Sequence, residues 1–295
     1  MIRILLTPFR VGGKAVMRFN RNDGGPMAGY IAYTSLLALF PFLIFASALA
    51  GVTMGPEETE RIIQGLFKLA PDHIIRTLEP VAREVLGRPR GGVLTLSAIG
   101  AVWVASSGFE AFRVAFDRAY KATDPRPVWV TRGLCIAFVF LATAVFLVLG
   151  VIIIAGPLIL YFATKHLSLH IPIGVDTLRY TIAAVVLSAF LLLLHRTLPA
   201  RRLKTRELWP GVIVTGAILL AAASLFSVYL RFAPNYTVTY GALAGVILTL
   251  LFFYVAGAAI IFGAEVNATL SDERAERRAR RENPPSIDDA GGAAD

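Results

Sequence analysis

Long uncharged runs alternate with short charged segments along this chain, and the first run shows the pattern. Between Asp23 and Glu57 lie 33 residues without one charged side chain. A helix of about 20 apolar residues crosses the hydrocarbon core of a bilayer, because each residue rises about 1.5 Å and the core is about 30 Å thick. The first run is long enough for this, and we predict that it forms a transmembrane helix.

Five further runs have the same character, and together the six runs predict an all-α integral membrane protein. Between the first two runs, residues 57–90 carry charges and apolar residues at helical spacing. We therefore predict six transmembrane helices with a short helical extracytoplasmic cap at 57–90. The predicted spans lie at about 27–51, 91–110, 133–160, 172–195, 208–230 and 240–263.

Three regions follow from this division of the chain. Residues 24–270 form the six-span membrane domain, and residues 271–295 form a charged, helical and then partly disordered cytoplasmic tail. Residues 1–23 are predicted to be a short basic amphipathic segment on the cytoplasmic membrane surface, because Pro8 and Gly12-Gly13 are expected to break any long helix. A flexible basic tail is the alternative for this first region.

Prolines and glycines within the runs predict where helices bend and pack. Pro41 lies near the middle of the first run, and Gly156-Pro157 lies near the far end of the third. Proline removes a backbone donor, so we predict helix kinks at both places. Gly241 and Gly245 form a step of small residues that lets helix backbones approach closely. A chance pattern in a span rich in alanine and glycine explains this step equally well.

The charge distribution predicts the orientation of the chain. Of its 29 basic residues, 20 lie on the side that carries both chain ends and eight lie on the other side. Because cytoplasmic loops carry the excess of lysine and arginine, we expect both termini in the cytoplasm of a bacterial inner membrane. The orientation of the chain in the membrane and contact with anionic membrane lipids then explain the net charge of +9, which requires no nucleic-acid partner.

Composition agrees with a membrane protein and offers little catalytic chemistry. The chain is 56% hydrophobic and 17% charged, whereas soluble domains have about 25% charged residues. Its single cysteine, Cys135, is predicted to be a small core residue. The sequence contains no phosphate-binding loop and no nucleophile elbow. Its four histidines form no H-x-H-x-D-H cluster, and we expect no metal, no cofactor and no enzymatic activity.

Three stretches together resemble the YihY/virulence factor BrkB family of bacterial inner-membrane proteins. They are Met27 to Gly51 with Tyr30, Tyr33 and Leu39-Phe40-Pro41, Ser106 to Phe112 followed by Ala119-Tyr120, and Tyr240 to Leu243 followed by Gly263 to Ala268. The resemblance covers residues 20–270 and implies a six-span helical membrane protein. Members of the family are described as virulence or serum-resistance factors and as exporters, with lipid handling suggested. The family also carries an old label, ribonuclease BN, which the missing histidine cluster argues against.

Polar residues near the inner ends of the spans are the candidates for function, because an ionisable group in lipid is costly. We hypothesise an inner vestibule that binds a polar headgroup or a proton-coupled solute. The alternative is that each residue ends a helix at the interface and pairs locally. At the outer end, Asp176 and Arg179 are expected to pair. The candidate lining residues are Tyr30, Tyr33, Glu110, Arg113, Glu265 and Asn267.

The leading functional hypothesis is a transporter or a flippase-like handler of a lipid or amphiphile. The alternative is a non-transport protein that maintains the envelope or scaffolds partners. A polar groove open sideways to the bilayer favours the first, and a sealed bundle with an exposed outer apolar patch favours the second. An oligomer is compatible with both hypotheses, and the sequence names neither a substrate nor an energy source.

Overall fold

The computed structural model describes residues 2–54, 91–156, 175–232 and 242–282, and within these ranges every regular element is a helix. The fourth helix continues directly into a π-helical turn, Val151–Ala155. The helices are α1 Ile2–Arg21, α2 Gly24–Met54, α3 Gly91–Ala119, α4 Val128–Gly150, α5 Val175–Thr197, α6 Thr205–Phe232 and α7 Ala242–Glu282.

Four segments of the described chain are long and apolar enough to cross a membrane. They coincide with the third to sixth predicted spans and comprise Val128–Ile153, Val175–Thr197, Thr205–Tyr229 and Gly245–Ala279. Helices α2 and α3, with 31 and 29 residues, occupy the places of the first two predicted spans. That these two also cross the membrane stays a prediction. The predicted cap at 57–90 lies outside the described residues.

The six long helices form a closed ring in the order α2, α3, α4, α5, α6, α7, and back to α2. Helix α7 also contacts α3 across the ring, and α1 packs against α7 and α2. Hydrogen bonds join the starts of α2 and α4 to the ends of α3 and α5, and the start of α6 to Asn267 in the second half of α7. These parts of the six helices share one side of the bundle, which we call the polar end. Since α1 and the end of α7 also lie there, both ends of the described chain are on one side.

The core of the bundle is concentrated at the polar end. Phe116 is fully buried there, with the ring of His195 stacked on it at 4.9 Å between centroids. Leucines from the end of α5 and small residues from α7 complete this core. The large side chains that are almost completely buried are Phe116, Tyr120, Leu191, Leu194, Leu198, Leu208 and Ile261.

The other half of the ring is packed much more loosely. We call it the distal half and define it as residues 35–39, 99–105, 140–153, 175–190, 216–229 and 245–256. Among its described side chains, all but Ala142, Thr143 and Ala183 are half-buried or exposed. In a membrane these side chains face lipid or the space inside the ring, so close helix–helix packing belongs to the polar end.

Helices α6 and α7 touch backbone to backbone at a pair of glycines. A Cβ atom added to Gly211 would lie 2.2 Å from the carbonyl oxygen of Gly263, and one added to Gly263 would lie 2.1 Å from Oγ1 of Thr215. A close approach of α6 and α7 therefore occurs at Gly263, which is not part of the predicted step. Gly241 lies outside the described residues, and the Gly241–Gly245 step stays a prediction.

The expected break in the N-terminal segment is wrong, because α1 is one helix of 20 residues that passes through Pro8 and Gly12-Gly13. Each glycine in a helix interior costs about 1 kcal/mol relative to alanine. Tertiary packing offsets this cost: Val11 and Ala15 are buried against Val266 of α7.

The local helix structure differs between the two places where kinks are predicted. Helix α2 is continuous through Pro41. At the end of α4, the backbone N–H of Gly156 donates to the carbonyl oxygen of Val151, five residues back, which makes a π-helical turn of the kind often found at kinks. Pro157 lies outside the described residues, and the bends themselves stay predictions.

Replacing Gly211 by alanine should destabilise the bundle, because its new Cβ cannot fit against Gly263. Overpacking of this kind costs about 1–3 kcal/mol. We expect a lower thermal midpoint in detergent. The matched control is Gly216→Ala in the same helix, where a Cβ meets nothing within 4 Å. Equal midpoints for the two variants would contradict the backbone contact.

Candidate functional site

Arg113 holds three carboxylates together at the end of α3. Its guanidinium pairs with Glu110 one turn earlier, with Asp117 at 2.9 Å and with Asp124 at 2.8 Å. Spacings of three and four residues place Glu110 and Asp117 on the same helix face as Arg113. The turn after α3, in which Lys121 has φ of 50°, brings Asp124 back to the same guanidinium. The sequence pattern predicts the stripe on α3, but it does not predict Asp124.

Further hydrogen bonds fix the segment after α5 over the end of α3. Arg126 donates to Asp124 at 2.8 Å and to the carbonyl oxygen of Leu198 at 2.6 Å. Asp117 accepts the backbone N–H of Ala200 at 2.7 Å. The hydrogen bonds from Arg126 hold the pKa of Asp124 at about 2, so this carboxylate is ionised at neutral pH.

Polar groups continue from Arg113 along the seam between α3 and α4. The buried thiol of Cys135 donates to Glu110 at 3.4 Å, and the prediction that Cys135 is a core residue is confirmed. Arg132 donates to the carbonyl oxygen of Trp103 at 3.0 Å. From Trp103 to Asp117 the helix rises about 21 Å, roughly two-thirds of the hydrocarbon thickness. We call this set the polar track: Trp103, Ser107, Glu110, Arg113 and Asp117 of α3, with Arg132 and Cys135 of α4.

A second ion network joins α1 to α7 and α3. Glu265 is fully buried and accepts hydrogen bonds from Arg18 at 3.2 Å and from Asn22 at 2.6 Å. Arg18 also pairs with Asp272 at 2.7 Å and donates to the carbonyl oxygen of Ala119 at 2.7 Å. A buried carboxylate needs such partners, because leaving it unpaired is costly. The sequence identifies Glu265 but not Arg18 or Asn22, which lie more than 240 positions away.

Asn267 connects α7 to α6. Its side-chain oxygen accepts the backbone N–H of Gly211 at 2.7 Å, at the place where the two helices touch. Its amide nitrogen and the hydroxyl of Tyr120 are both buried and close to each other, yet neither makes a hydrogen bond of good geometry. The side-chain oxygen of Asn267 therefore fixes the crossing of α6 and α7, while its amide nitrogen has no hydrogen-bond partner among the described residues.

The six residues predicted to line an inner vestibule lie in different parts of the structure. Glu110 and Arg113 form one ion pair, whereas Glu265 and Asn267 belong to the two other sets of contacts just described. Tyr30 and Tyr33 lie on α2 with 49% and 56% of their surface exposed. Among the described contacts, none joins all six around one vestibule, and their role in substrate binding stays a prediction.

Two exposed tryptophans indicate the level of the membrane interface. Trp129 and Trp209 lie in the first two turns of α4 and α6, at the polar end, and are 86% and 44% exposed. Tryptophan is enriched where headgroups meet hydrocarbon. At the opposite end of the ring, the predicted pair of Asp176 and Arg179 forms at 3.2 Å.

Comparison with known proteins shows similarity along most of the chain. Residues 15–288 match the family model described as Virulence factor BrkB. The chain is 28% identical over 256 residues to the ribonuclease-like protein YfkH of Bacillus subtilis, covering 86% of this chain and 92% of that protein. It is 26% identical over 266 residues to a UPF0761 membrane protein of Rhodospirillum centenum, covering 88% of this chain but only 57% of that protein.

A second UPF0761 membrane protein, from Pseudoalteromonas translucida, is 22% identical over 260 residues, which cover 84% of this chain and 82% of that protein. The chain thus spans nearly all of the Bacillus protein but little more than half of the Rhodospirillum protein. No solved structure matches.

Replacing Glu265 by glutamine should lower the free energy of unfolding, because Arg18 then faces a neutral group. Removing one partner of a buried ion pair costs about 3–5 kcal/mol, and we expect the low end because Arg18 keeps Asp272 as a partner. Unfolding in mixed detergent and denaturant micelles measures the change. The control is Glu273→Gln, whose pair with the exposed Lys14 should contribute about 0–1 kcal/mol. Equal losses for both variants would contradict a special role for Glu265.

Replacing Arg113 by glutamine should make stability depend on pH. Without the cation, the buried carboxylate of Asp117 loses its ion pair but keeps Asp124 as a neighbour, so its pKa in the folded protein, already raised by burial, rises further above that in the unfolded chain, whereas Asp124 keeps Arg126. The variant therefore gains stability, relative to wild type, as pH falls from neutral towards about pH 5. Thermal midpoints at the two pH values measure this gain.

The control for this experiment is Arg118→Gln, whose partner Asp23 is exposed to solvent. The control should show the pH dependence of wild type. An Arg113 variant with the same pH dependence as the control would mean that the ionisation of Asp117 does not depend on Arg113.

Proposed function

We propose that this chain, which belongs to the virulence factor BrkB family of membrane proteins, handles a lipid or another amphiphile within the bacterial inner membrane. In this proposal the polar end faces the cytoplasm and the distal half faces the outer leaflet. The chain would act as a transporter or as a flippase-like protein without enzymatic activity.

The observation that carries the proposal is the difference in packing between the two halves of the ring. The polar end has a continuous core around Phe116, whereas almost all described side chains of the distal half are half-buried or exposed. A purely structural bundle gains stability from close packing along its whole length. In this proposal, the loosely packed helices of the distal half separate to admit an amphiphile, while the polar end stays closed.

The polar track supplies a second line of support. Trp103 is 59% exposed, and the side chain of Glu110 is 32% exposed, so the track is accessible along the seam of α3 and α4. A charged headgroup crossing a bilayer needs polar partners at intermediate depth, while its acyl chains can stay in lipid. The polar track places such partners over about 21 Å of helix length.

The two ion networks close the polar end in this proposal. Arg113 and Arg126 tie the end of α3 to the segment after α5, and Arg18 ties α1 to α7. Ion pairs that join different helices can open and close as units, which suits a gate. The proposal therefore gives the charged residues at this end a closing role, in addition to their structural one.

The ribonuclease-like name of the Bacillus relative is not part of the proposal, because this sequence lacks the histidine cluster described above. The competing hypothesis remains a protein that scaffolds partners or maintains the envelope without transport. The two hypotheses differ in one measurable property, the movement of lipid by the purified protein.

Reconstitution into liposomes with a fluorescent phospholipid tests the proposal. Wild-type protein should move inner-leaflet probe to the outside, where a membrane-impermeant reductant bleaches it. Replacing Glu110 by glutamine should slow this movement roughly tenfold, equivalent to about 1.4 kcal/mol of barrier. The control is Glu207→Gln at the start of α6, outside the track. Bleaching no faster than in empty liposomes would reject lipid movement and favour the scaffolding hypothesis.

A further inference from the structure

Arg132 lacks the carboxylate partner that five other arginines of the polar end have. Within the part of the chain that the structure describes, it forms no ion pair, and its hydrogen bonds go to the carbonyl oxygen of Trp103 at 3.0 Å and the hydroxyl of Ser107 at 3.5 Å. Its Nε is buried without a hydrogen-bond partner. At the polar end, the arginines with a described carboxylate partner are Arg18, Arg113, Arg118, Arg126 and Arg201.

Glu110 forms no ion pair with Arg132, although the two side chains are close. Glu110 is close enough to feel the charge of Arg132, but it makes its contacts with Arg113 and Cys135. The positive charge of Arg132 is therefore available for an anion that does not belong to the described residues.

The guanidinium of Arg132 also lies deeper than an ordinary interfacial arginine. Residue 132 follows the exposed Trp129 by about one helical turn, within the apolar segment Val128–Ile153. Arginines near the end of a span usually extend towards water. Arg132 instead reaches the carbonyl oxygen of Trp103, which belongs to the distal half. A cation at this depth is costly unless an anion accompanies it.

The surroundings of Arg132 match one class of anion. Its guanidinium lies over the ring of Trp103, 3.9 Å from the centroid, and this stacking fixes the plane of its N–H donors. A planar guanidinium suits phosphate, which accepts two parallel hydrogen bonds. Exposed apolar side chains lie at the same seam, since Val128 is 74% and Trp129 is 86% exposed. Such neighbours suit the acyl chains of a lipid better than a soluble ion.

We propose that Arg132, stacked on Trp103 and bonded beside Ser107, binds the phosphate of a phospholipid headgroup from the adjacent leaflet. The proposal deepens the proposed function, because it names the substrate class as phospholipid and the seam of α3 and α4 as its place of entry. Binding can be measured without transport, so the two proposals can fail separately.

Native mass spectrometry of the full chain in detergent, titrated with phosphatidylglycerol, tests this site. Replacing Arg132 by glutamine should weaken lipid binding roughly tenfold, and Arg132→Lys should bind at an intermediate level because a lysine keeps the charge but loses the planar fork. Replacing Trp103 by leucine should weaken binding several-fold, because the stacking partner is lost. The matched control is Arg206→Gln, an exposed arginine in the first turn of α6, which should bind as wild type does.

Wild-type affinity in both Arg132→Gln and Trp103→Leu would overturn the site. If one of the two variants does not fold, the affinity of the other one decides.

Inorganic phosphate provides the second arm of the experiment. If it displaces the lipid at concentrations close to those of the lipid itself, the site binds soluble phosphate, and the assignment to phospholipid is wrong. A chain that binds phosphatidylglycerol through Arg132 but moves no lipid in liposomes would reject the proposed function and retain the site.

Discussion

The need to neutralise charges at the edge of a membrane governs this structure more than any other interaction. Glu265 is fully buried, and it is stable there only because Arg18 and Asn22 reach it from the end of α1. The same requirement brings Asp124 back to Arg113 and links Arg126 to the end of α5. Contacts between residues that are 11, 72 and 247 positions apart therefore meet at one end of the bundle. The position of α1, the closure of the ring and the order of the polar end all depend on these pairs.

Hydrophobic burial contributes differently along the ring. In lipid there is no water to expel from between two apolar helices, so close packing depends on shape, and small residues provide it. Such packing is found at the polar end, where Gly211 and Gly263 meet and where Gly108 faces Thr34 of α2. The distal half has large exposed side chains in each of its helices, including Phe146, Leu178 and Leu225. The molecule thus combines a closely packed end with a half whose described side chains are almost all half-buried or exposed.

The sequence predicts features that depend on short distances along the chain, and it misses those that depend on long ones. Span positions follow from run length, because the thickness of a bilayer sets a minimum number of apolar residues. The pairs of Arg113 with Glu110 and of Arg179 with Asp176 follow from the geometry of one helical turn. No local pattern indicates that Arg18 meets Glu265, and for that reason α1 was expected to break at its glycines although contacts with α7 keep it helical. No local pattern indicates the stacking of Arg132 on Trp103 either, since it arises only when α3 and α4 lie side by side.

Helix α7 has 41 residues without interruption, which makes it a rod of about 60 Å. Near Gly263 this rod touches α6 through the backbone, with no side chain between them to absorb a displacement. The same rod packs against α1, α2, α3 and α6 along its length. Because the helix is continuous, its charged tail around Asp272 and its start at Ala242 are parts of one stiff element. The length of a single helix thus links the polar end of the bundle mechanically to the distal half.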